Sequence, residues 1–205
     1  MTTKVKICGI TTPEDGVAAE EAGADAIGMV FYAGSKRAID TSQGVAITRA
    51  LGPFVTVVGL FVNEYPQVVE AIYRQAGLHL VQLHGDESPA YCEQLSMPYI
   101  KAIRMAPDLD PQREMASYPG AVGFLFDAWQ PDQYGGTGTQ FDWRRLRDVS
   151  ARALIVAGGL TPDNVADAVR VTSPYAVDVS GGVERSPGVK DHQLMRRFVK
   201  SAKHV

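Results

Sequence analysis

The 205-residue chain is 45% hydrophobic and 21% charged, ordinary globular proportions that exclude a disordered, collagenous or coiled-coil protein. Twenty basic against 23 acidic residues leave a net charge of −3, which offers nucleic acid no basic field. Two cysteines frame no disulfide scaffold, no apolar run reaches the ~18 residues of a membrane span, and no signal peptide opens the chain, so a cytoplasmic location is expected.

In chain order, a β-rich run at Val5-Lys6-Ile7-Cys8 leads to a helix start at Thr12-Pro13-Glu14-Asp15, where an N-cap hydroxyl, a first-turn proline and acids coincide. Strands are expected from Ala26 to Phe31 and from Thr56 to Phe61. A helix follows in which Val69, Ile72, Tyr73 and Ala76 recur at i, i+3, i+4 and i+7. Leu80-Val81-Gln82-Leu83 reads as a fourth strand, Ser88-Pro89 as the next helix start with Cys92 in its core, and Tyr99-Ile100-Lys101-Ala102 as a fifth strand. Pro107 to Tyr118 lacks a clean apolar stripe and suits a short or irregular fifth helix. Strands at Gly123-Phe124-Leu125-Phe126, Leu154-Ile155-Val156-Ala157 and Ala176-Val177-Asp178-Val179 complete eight, with a helix start at Thr161-Pro162-Asp163 and a last helix through Met195, Phe198, Val199 and Ala202.

Several of these runs are apolar throughout, as strands buried on both faces must be. Strand alternating with helix means parallel strands and right-handed crossovers, and about eight units in this length suit a single (β/α)8 TIM barrel spanning residues 1–205. An open doubly wound sheet is the alternative, but the first βα turn, Cys8-Gly9-Ile10-Thr11, lacks the dinucleotide G-x-G-x-x-G pattern.

A barrel of this kind builds its active site from the C-terminal strand ends. Cys8, His84, Asp127 and Asp178 fall there, and strand alternation sets Lys6 with Cys8, Gln82 with His84, and Asp178 with Ser180. Taken singly, Cys8 suits a small buried hydrophobe, Asp127 a loop anchor and His84 a structural imidazole. Glycine pairs close strands seven and eight, at Gly158-Gly159 and at Gly181-Gly182 after Ser180. Glycine lets backbone N–H groups approach an anion, and loops seven and eight are the recurrent phosphate site of this architecture. Gly135-Gly136-Thr137-Gly138 suits a lid over Asp127 or a plain solvent loop, and Arg37 in Ser35-Lys36-Arg37 suits a carboxylate clamp or an exposed charge. The cysteines and histidines show no metal-ligand spacing.

These pieces together closely resemble the phosphoribosylanthranilate isomerase family of tryptophan biosynthesis. The matching stretches run in order along nearly the whole chain: Lys6-Ile7-Cys8-Gly9-Ile10-Thr11, Gly23-Ala24-Asp25-Ala26-Ile27-Gly28, Phe31-Tyr32, Ser35-Lys36-Arg37, Phe61-Val62-Asn63, Val81-Gln82-Leu83-His84-Gly85, Gly135-Gly136-Thr137-Gly138 with Phe141-Asp142-Trp143, Ala157-Gly158-Gly159-Leu160 and Asp178-Val179-Ser180. The resemblance implies an Amadori rearrangement of an aminoaldose to an aminoketose, with Cys8 as general base and Asp127 as general acid. It makes Arg37 the contact for the anthranilate carboxylate, with His84 and Asp178 as further substrate contacts and Gly158, Gly159, Ser180, Gly181 and Gly182 around the phosphate. A thiol base is expected to have a lowered pKa or a neighbouring cation, for which Lys6 is the candidate. A small-molecule substrate, no cofactor, no metal, and a monomer or homodimer are expected. Where the family commonly has Ser-Ser-Gly after strand eight, this chain has Ser180-Gly181-Gly182, which removes a hydroxyl donor and keeps the backbone donors. The competing readings are another sugar-phosphate barrel enzyme, whose lysine–glutamate or histidine–aspartate constellation is not seen here, and a catalytically silent phosphate-binding barrel.

Overall fold

The computed structural model describes residues 2–130, 140–151 and 153–205. Eight parallel strands, β1 (Lys4–Cys8), β2 (Ala26–Val30), β3 (Thr56–Phe61), β4 (Leu80–Leu83), β5 (Tyr99–Met105), β6 (Gly123–Ala128), β7 (Leu154–Val156) and β8 (Ala176–Val179), close into a barrel in sequence order. Closure pairs β1 with β8, in a register that sets Lys6 opposite Asp178.

The period of two along each strand divides the apolar side chains into two layers. Ile100, Ala102, Leu125, Ile155, Ala157 and Ala176 fill the barrel interior as one cluster. Their neighbours in the strands, such as Ile7, Ile27, Val81, Phe126 and Val177, belong to the larger core shared with the helices. That core is closed by α1 (Pro13–Glu21), α2 (Thr41–Ala50), α3 (Pro66–Gln75), α4 (Pro89–Cys92), α5 (Pro111–Ala116), α6 (Val165–Thr172) and α7 (His192–Lys203). In α7 the predicted stripe Met195, Phe198, Val199 and Ala202 is buried, the three larger side chains contributing about 1.5–3 kcal/mol each. Helix starts follow the sequence signals at Thr12, whose hydroxyl accepts from Asp15 N, and at Ser88, which accepts from Tyr91 N. No helix among the described residues is long and apolar enough to cross a membrane.

The fifth helix is short, as expected, six residues capped by Asp110. Other boundaries differ from expectation. α6 starts at Val165, because Thr161-Pro162-Asp163 is a turn in which Asn164 Oδ1 accepts from Thr161 N at 2.8 Å. β5 continues past Ala102 to Met105, and β6 past Phe126 to Ala128, so Asp127 lies within a strand and not after it. Between β6 and β7 the described residues form a 3₁₀ turn, Trp143–Leu146, that seats a fully buried Leu146. The Gly135–Gly138 cluster lies outside the described residues.

After β8 the chain makes an element the hydrophobic pattern does not reveal. A 3₁₀ turn, Gly181–Val183, leads into an antiparallel hairpin of β9 (Glu184–Ser186) and β10 (Val189–Lys190). Pro187-Gly188 forms its bend, with Gly188 at φ +83°, a conformation open to glycine. Gly188 O accepts from Thr11 Oγ1 at 2.7 Å, which ties the hairpin to the loop after β1.

Candidate active site

A cavity of about 270 Å³ opens among the C-terminal strand ends, and all ten residues singled out in the sequence line it: Cys8, Arg37, His84, Asp127, Gly158, Gly159, Asp178, Ser180, Gly181 and Gly182. Its size suits one small ligand.

Cys8 is the last residue of β1 and is buried. Lys6, two residues earlier and on the same face, donates to Asp178 Oδ1 at 2.8 Å, both side chains being almost fully buried. A Cβ added to Gly28 of β2 would fall 2.7 Å from Cys8 Sγ and 3.0 Å from Lys6 Nζ, so glycine leaves the room these two groups occupy together. Burial pushes the Cys8 thiol up; Lys6 opposes that, Asp178 adds to it, and the outcome is a raised value. Of the two alternatives expected for a thiol base, the neighbouring cation is present and the lowered thiol is not. Burial works against the Lys6 ammonium, but Asp178 and Cys8 outweigh it and Lys6 is raised.

Across the mouth, the Asp127 carboxylate accepts from Ala128 N at 2.8 Å through Oδ1, and its Oδ2 lies 3.3 Å from His84 Nε2. The latter contact is close enough for a hydrogen bond but not aligned for one, which leaves His84 Nε2 without a hydrogen-bond partner among the described residues. The other ring nitrogen is 2.8 Å from Gln82 Nε2. His84 is held at its strand end by a buried network that hydrophobic patterning hides. The Glu87 carboxylate accepts from Asn63 N at 2.9 Å and Gly85 N at 3.0 Å, and pairs with Lys101 Nζ at 2.9 Å, while Lys101 also donates to Gly85 O.

Two glycines are required where they stand. Gly158 has φ +82°, and a Cβ there would lie 2.8 Å from Ala128 N and 3.0 Å from Asp127 Oδ1. At Gly182 a Cβ would meet Leu160 O at 1.9 Å, a clash with backbone. The close approach of loops seven and eight thus brings bare main chain to the cavity, beside the Ser180 hydroxyl, which is buried and without a hydrogen-bond partner among the described residues. Such a surface offers donors to an anionic group. Gly181, at the position where the expected serine is missing, would carry its Cβ 3.3 Å from Arg37 Nη2, so the small residue relieves crowding beside the guanidinium.

Arg37 already holds a carboxylate. Its Nε and Nη2 donate to Glu184 at 2.7 and 2.8 Å, and these bonds raise the guanidinium further. Burial would lift Glu184, but Arg37 and Lys190 hold it below the usual carboxylate range. Lys190 bonds the same carboxylate at 2.8 Å, and burial pulls it below an ordinary lysine. Sequence reasoning missed Glu184 and Lys190; the Pro187-Gly188 turn signal between them was the available clue to a hairpin. Among the described residues no group of three or more His, Cys, Asp or Glu is placed to hold a metal ion.

The profile of the family described as N-(5'phosphoribosyl)anthranilate (PRA) isomerase matches residues 5–201. The N-(5'-phosphoribosyl)anthranilate isomerase of Neisseria meningitidis serogroup B is 50% identical over 202 residues, covering 98% of this chain and 97% of that protein. A crystal structure of phosphoribosyl anthranilate isomerase in complex with reduced 1-(o-carboxyphenylamino)-1-deoxyribulose 5-phosphate superposes with a TM-score of 0.88 at 40% identity, covering 99% of this chain and 100% of that one. A structure of monomers generated from the dimeric phosphoribosylanthranilate isomerase of Thermotoga maritima gives 0.84 at 38% identity, covering 99% and 100%.

Proposed function

The chain belongs to the N-(5'-phosphoribosyl)anthranilate isomerase family, and from that premise we propose that Cys8 is its general base and Asp127 its general acid. The reaction converts N-(5-phosphoribosyl)anthranilate to 1-(2-carboxyphenylamino)-1-deoxyribulose 5-phosphate, an aldose–ketose isomerisation of tryptophan biosynthesis. What carries the assignment is that a thiol at the end of β1 and a carboxyl in β6 line one cavity that the glycines of two loops also line.

Asp127 delivers a proton to the ribose ring oxygen. The C1′–O bond breaks, and the anthranilate nitrogen supplies the pair that forms C1′=N. The Cys8 thiolate then takes the C2′ proton, the C2′–H pair becomes the C1′=C2′ bond as the C1′=N pair returns to nitrogen, and an enolamine results. Protonation at C1′ as the C2′ hydroxyl becomes a carbonyl completes the ketose, with no net gain or loss of protons. Acid and base on opposing strands reach the two atoms from different sides of one bound substrate. A raised thiol is a strong base once ionised, and the Lys6 ammonium beside it lowers the cost of that ionisation. The amides around Gly158-Gly159 and Gly181-Gly182, with Ser180, are assigned to the phosphate, the outer edge of Arg37 to the ring carboxylate, and His84 and Asp178 to the substrate's polar middle. The 205 residues act as one cytoplasmic domain, as a monomer or homodimer; sedimentation of purified protein separates the two states.

The test is the decay of fluorescence of freshly prepared phosphoribosylanthranilate. Wild-type protein is expected to accelerate it, and Cys8→Ala and Asp127→Asn to lose roughly 10²–10⁴ in turnover while keeping wild-type circular dichroism. Variants that turn over at the wild-type rate end the assignment of those two roles.

A further inference from the structure

The Arg37–Glu184 pair poses a problem for the site as proposed. A guanidinium bound along one edge by a carboxylate is a neutral unit, and a neutral unit has little long-range attraction for a substrate anion. Glu184 also cannot be a surface bystander, since its side chain is 4% exposed.

Lys190 answers the problem. Its side chain is wholly buried, and its Nζ faces Cys8 O at 2.6 Å, Glu184 Oε1 at 2.8 Å and Ser180 O at 3.1 Å. Three acceptors around one nitrogen demand three N–H donors, which only the ammonium form supplies. Arg37, Glu184 and Lys190 therefore sum to a single positive charge. The other buried pair at the mouth, Lys6 with Asp178, is neutral and adds nothing to it. Because all three Lys190 donors are engaged, Lys190 contacts no substrate. Its charge reaches the cavity through Glu184 and Arg37, whose guanidinium spends two of five donors on Glu184.

We infer that Lys190 and Glu184 are positioning residues for carboxylate recognition: Glu184 aims the Arg37 guanidinium, and the buried Lys190 ammonium cancels the charge that aiming introduces. The inference rests on Arg37 as the carboxylate contact. The hairpin after β8 is then a specificity element, and the substrate class it selects is a phosphorylated sugar bearing an arylamine with an ortho carboxylate, over the same compound without the carboxylate.

The experiment measures binding of two probes, reduced 1-(o-carboxyphenylamino)-1-deoxyribulose 5-phosphate and its counterpart lacking the ring carboxylate, by calorimetry. The readout is the ratio of their affinities, which general loosening of the fold does not move. Lys190→Met, which leaves a neutral Arg37–Glu184 pair, is expected to lower the ratio by about tenfold. Adding Glu184→Gln to it restores one net positive charge and is expected to recover most of the ratio. Glu184→Gln alone keeps one acceptor oxygen to aim Arg37 and carries a net charge of two, so it is expected to keep or raise the ratio; a lowered ratio overturns the inference, and this decides the matter where Lys190→Met does not fold. Equal weakening of both probes in Lys190→Met, or a double variant no better than the single, overturns the inference. Arg37→Met is the control: if it leaves the ratio unchanged, the Arg37 assignment falls and the inference with it, whereas a lowered ratio in Arg37→Met beside an unchanged one in Lys190→Met refutes the inference alone.

Discussion

Replacing Lys6 with methionine tests the interior of the site on two independent readouts. The Lys6–Asp178 pair is 2.8 Å long, with side chains 6% and 8% exposed. Truncating one partner of such a pair strands a buried charge and costs about 3–5 kcal/mol, out of a total stability on the order of 5–15 kcal/mol. For a chain of this size each kcal/mol moves Tm by about 2–4 °C, so Lys6→Met is expected to melt roughly 6–20 °C lower. Adding Asp178→Asn removes the stranded carboxylate and is expected to regain a good part of that loss. The second readout is catalytic. Lys6, more than Lys190, holds the Cys8 thiol down against burial, so its loss sends the thiol higher still, and the rising limb of kcat/KM against pH moves to more alkaline values. Each tenfold loss of thiolate at a fixed pH is about 1.4 kcal/mol of barrier. Urea denaturation and a pH–rate profile on the single and double variants are sufficient. A single variant within about 1 kcal/mol of wild type, or a double variant no more stable than the single, refutes the stability argument; a limb that stays in place refutes the assignment of Lys6 to the thiol.

Arg37→Met is expected to raise KM about tenfold or more, with a smaller change in kcat, since a clamp lost equally from ground and transition states costs binding; steady-state kinetics read this directly. Gly182→Ala forces a Cβ to within 1.9 Å of Leu160 O and is expected to cost about 3 kcal/mol or more, visible as a lowered Tm. In alkali, Cys8 and Lys6 are raised and Tyr91, Tyr99 and Tyr118 are each pushed up to about 12 by burial. The folded chain holds these protons more tightly than the unfolded one, so their contribution is intact below pH ~9 and is lost as the pH rises toward the folded values; Lys190, lowered, acts with the opposite sign. In acid, Glu184 and Asp25 lie below the usual carboxylate range, so their contribution is present above pH ~4.5 and disappears as the pH falls through their folded values. Urea midpoints across both ranges check the two signs.

The barrel was legible because its strands are buried on both faces, so runs such as Thr56-Val57-Val58-Gly59-Leu60-Phe61 carry no polar interruption. Where a strand does carry buried charge the signal fails: Lys101 and Arg104 break the apolar run of β5, and the strand was expected to end early, although Glu87 makes burial of Lys101 tolerable from another loop. The cavity-lining residues were legible because strand period and glycine chemistry are both local properties. The raised thiol was not, because it depends on how completely the neighbouring strands remove Cys8 from water. Glu184 and Lys190 were hidden for a related reason. A glutamate and a lysine on a short polar hairpin look like solvated charges, and only their three-dimensional partners, Arg37 and two strand-end carbonyls, reveal otherwise.

Barrel closure has a temporal side. Lys6 meets Asp178 across 172 positions of sequence, and Lys190 meets the Cys8 carbonyl across 182. A growing polypeptide that has emerged only through β7 therefore has its thiol but neither the anion that anchors Lys6 nor the buried ammonium that seals the seam. Synthesis must be nearly finished before such a molecule can acquire a working centre, and fragments released early are expected to be inert.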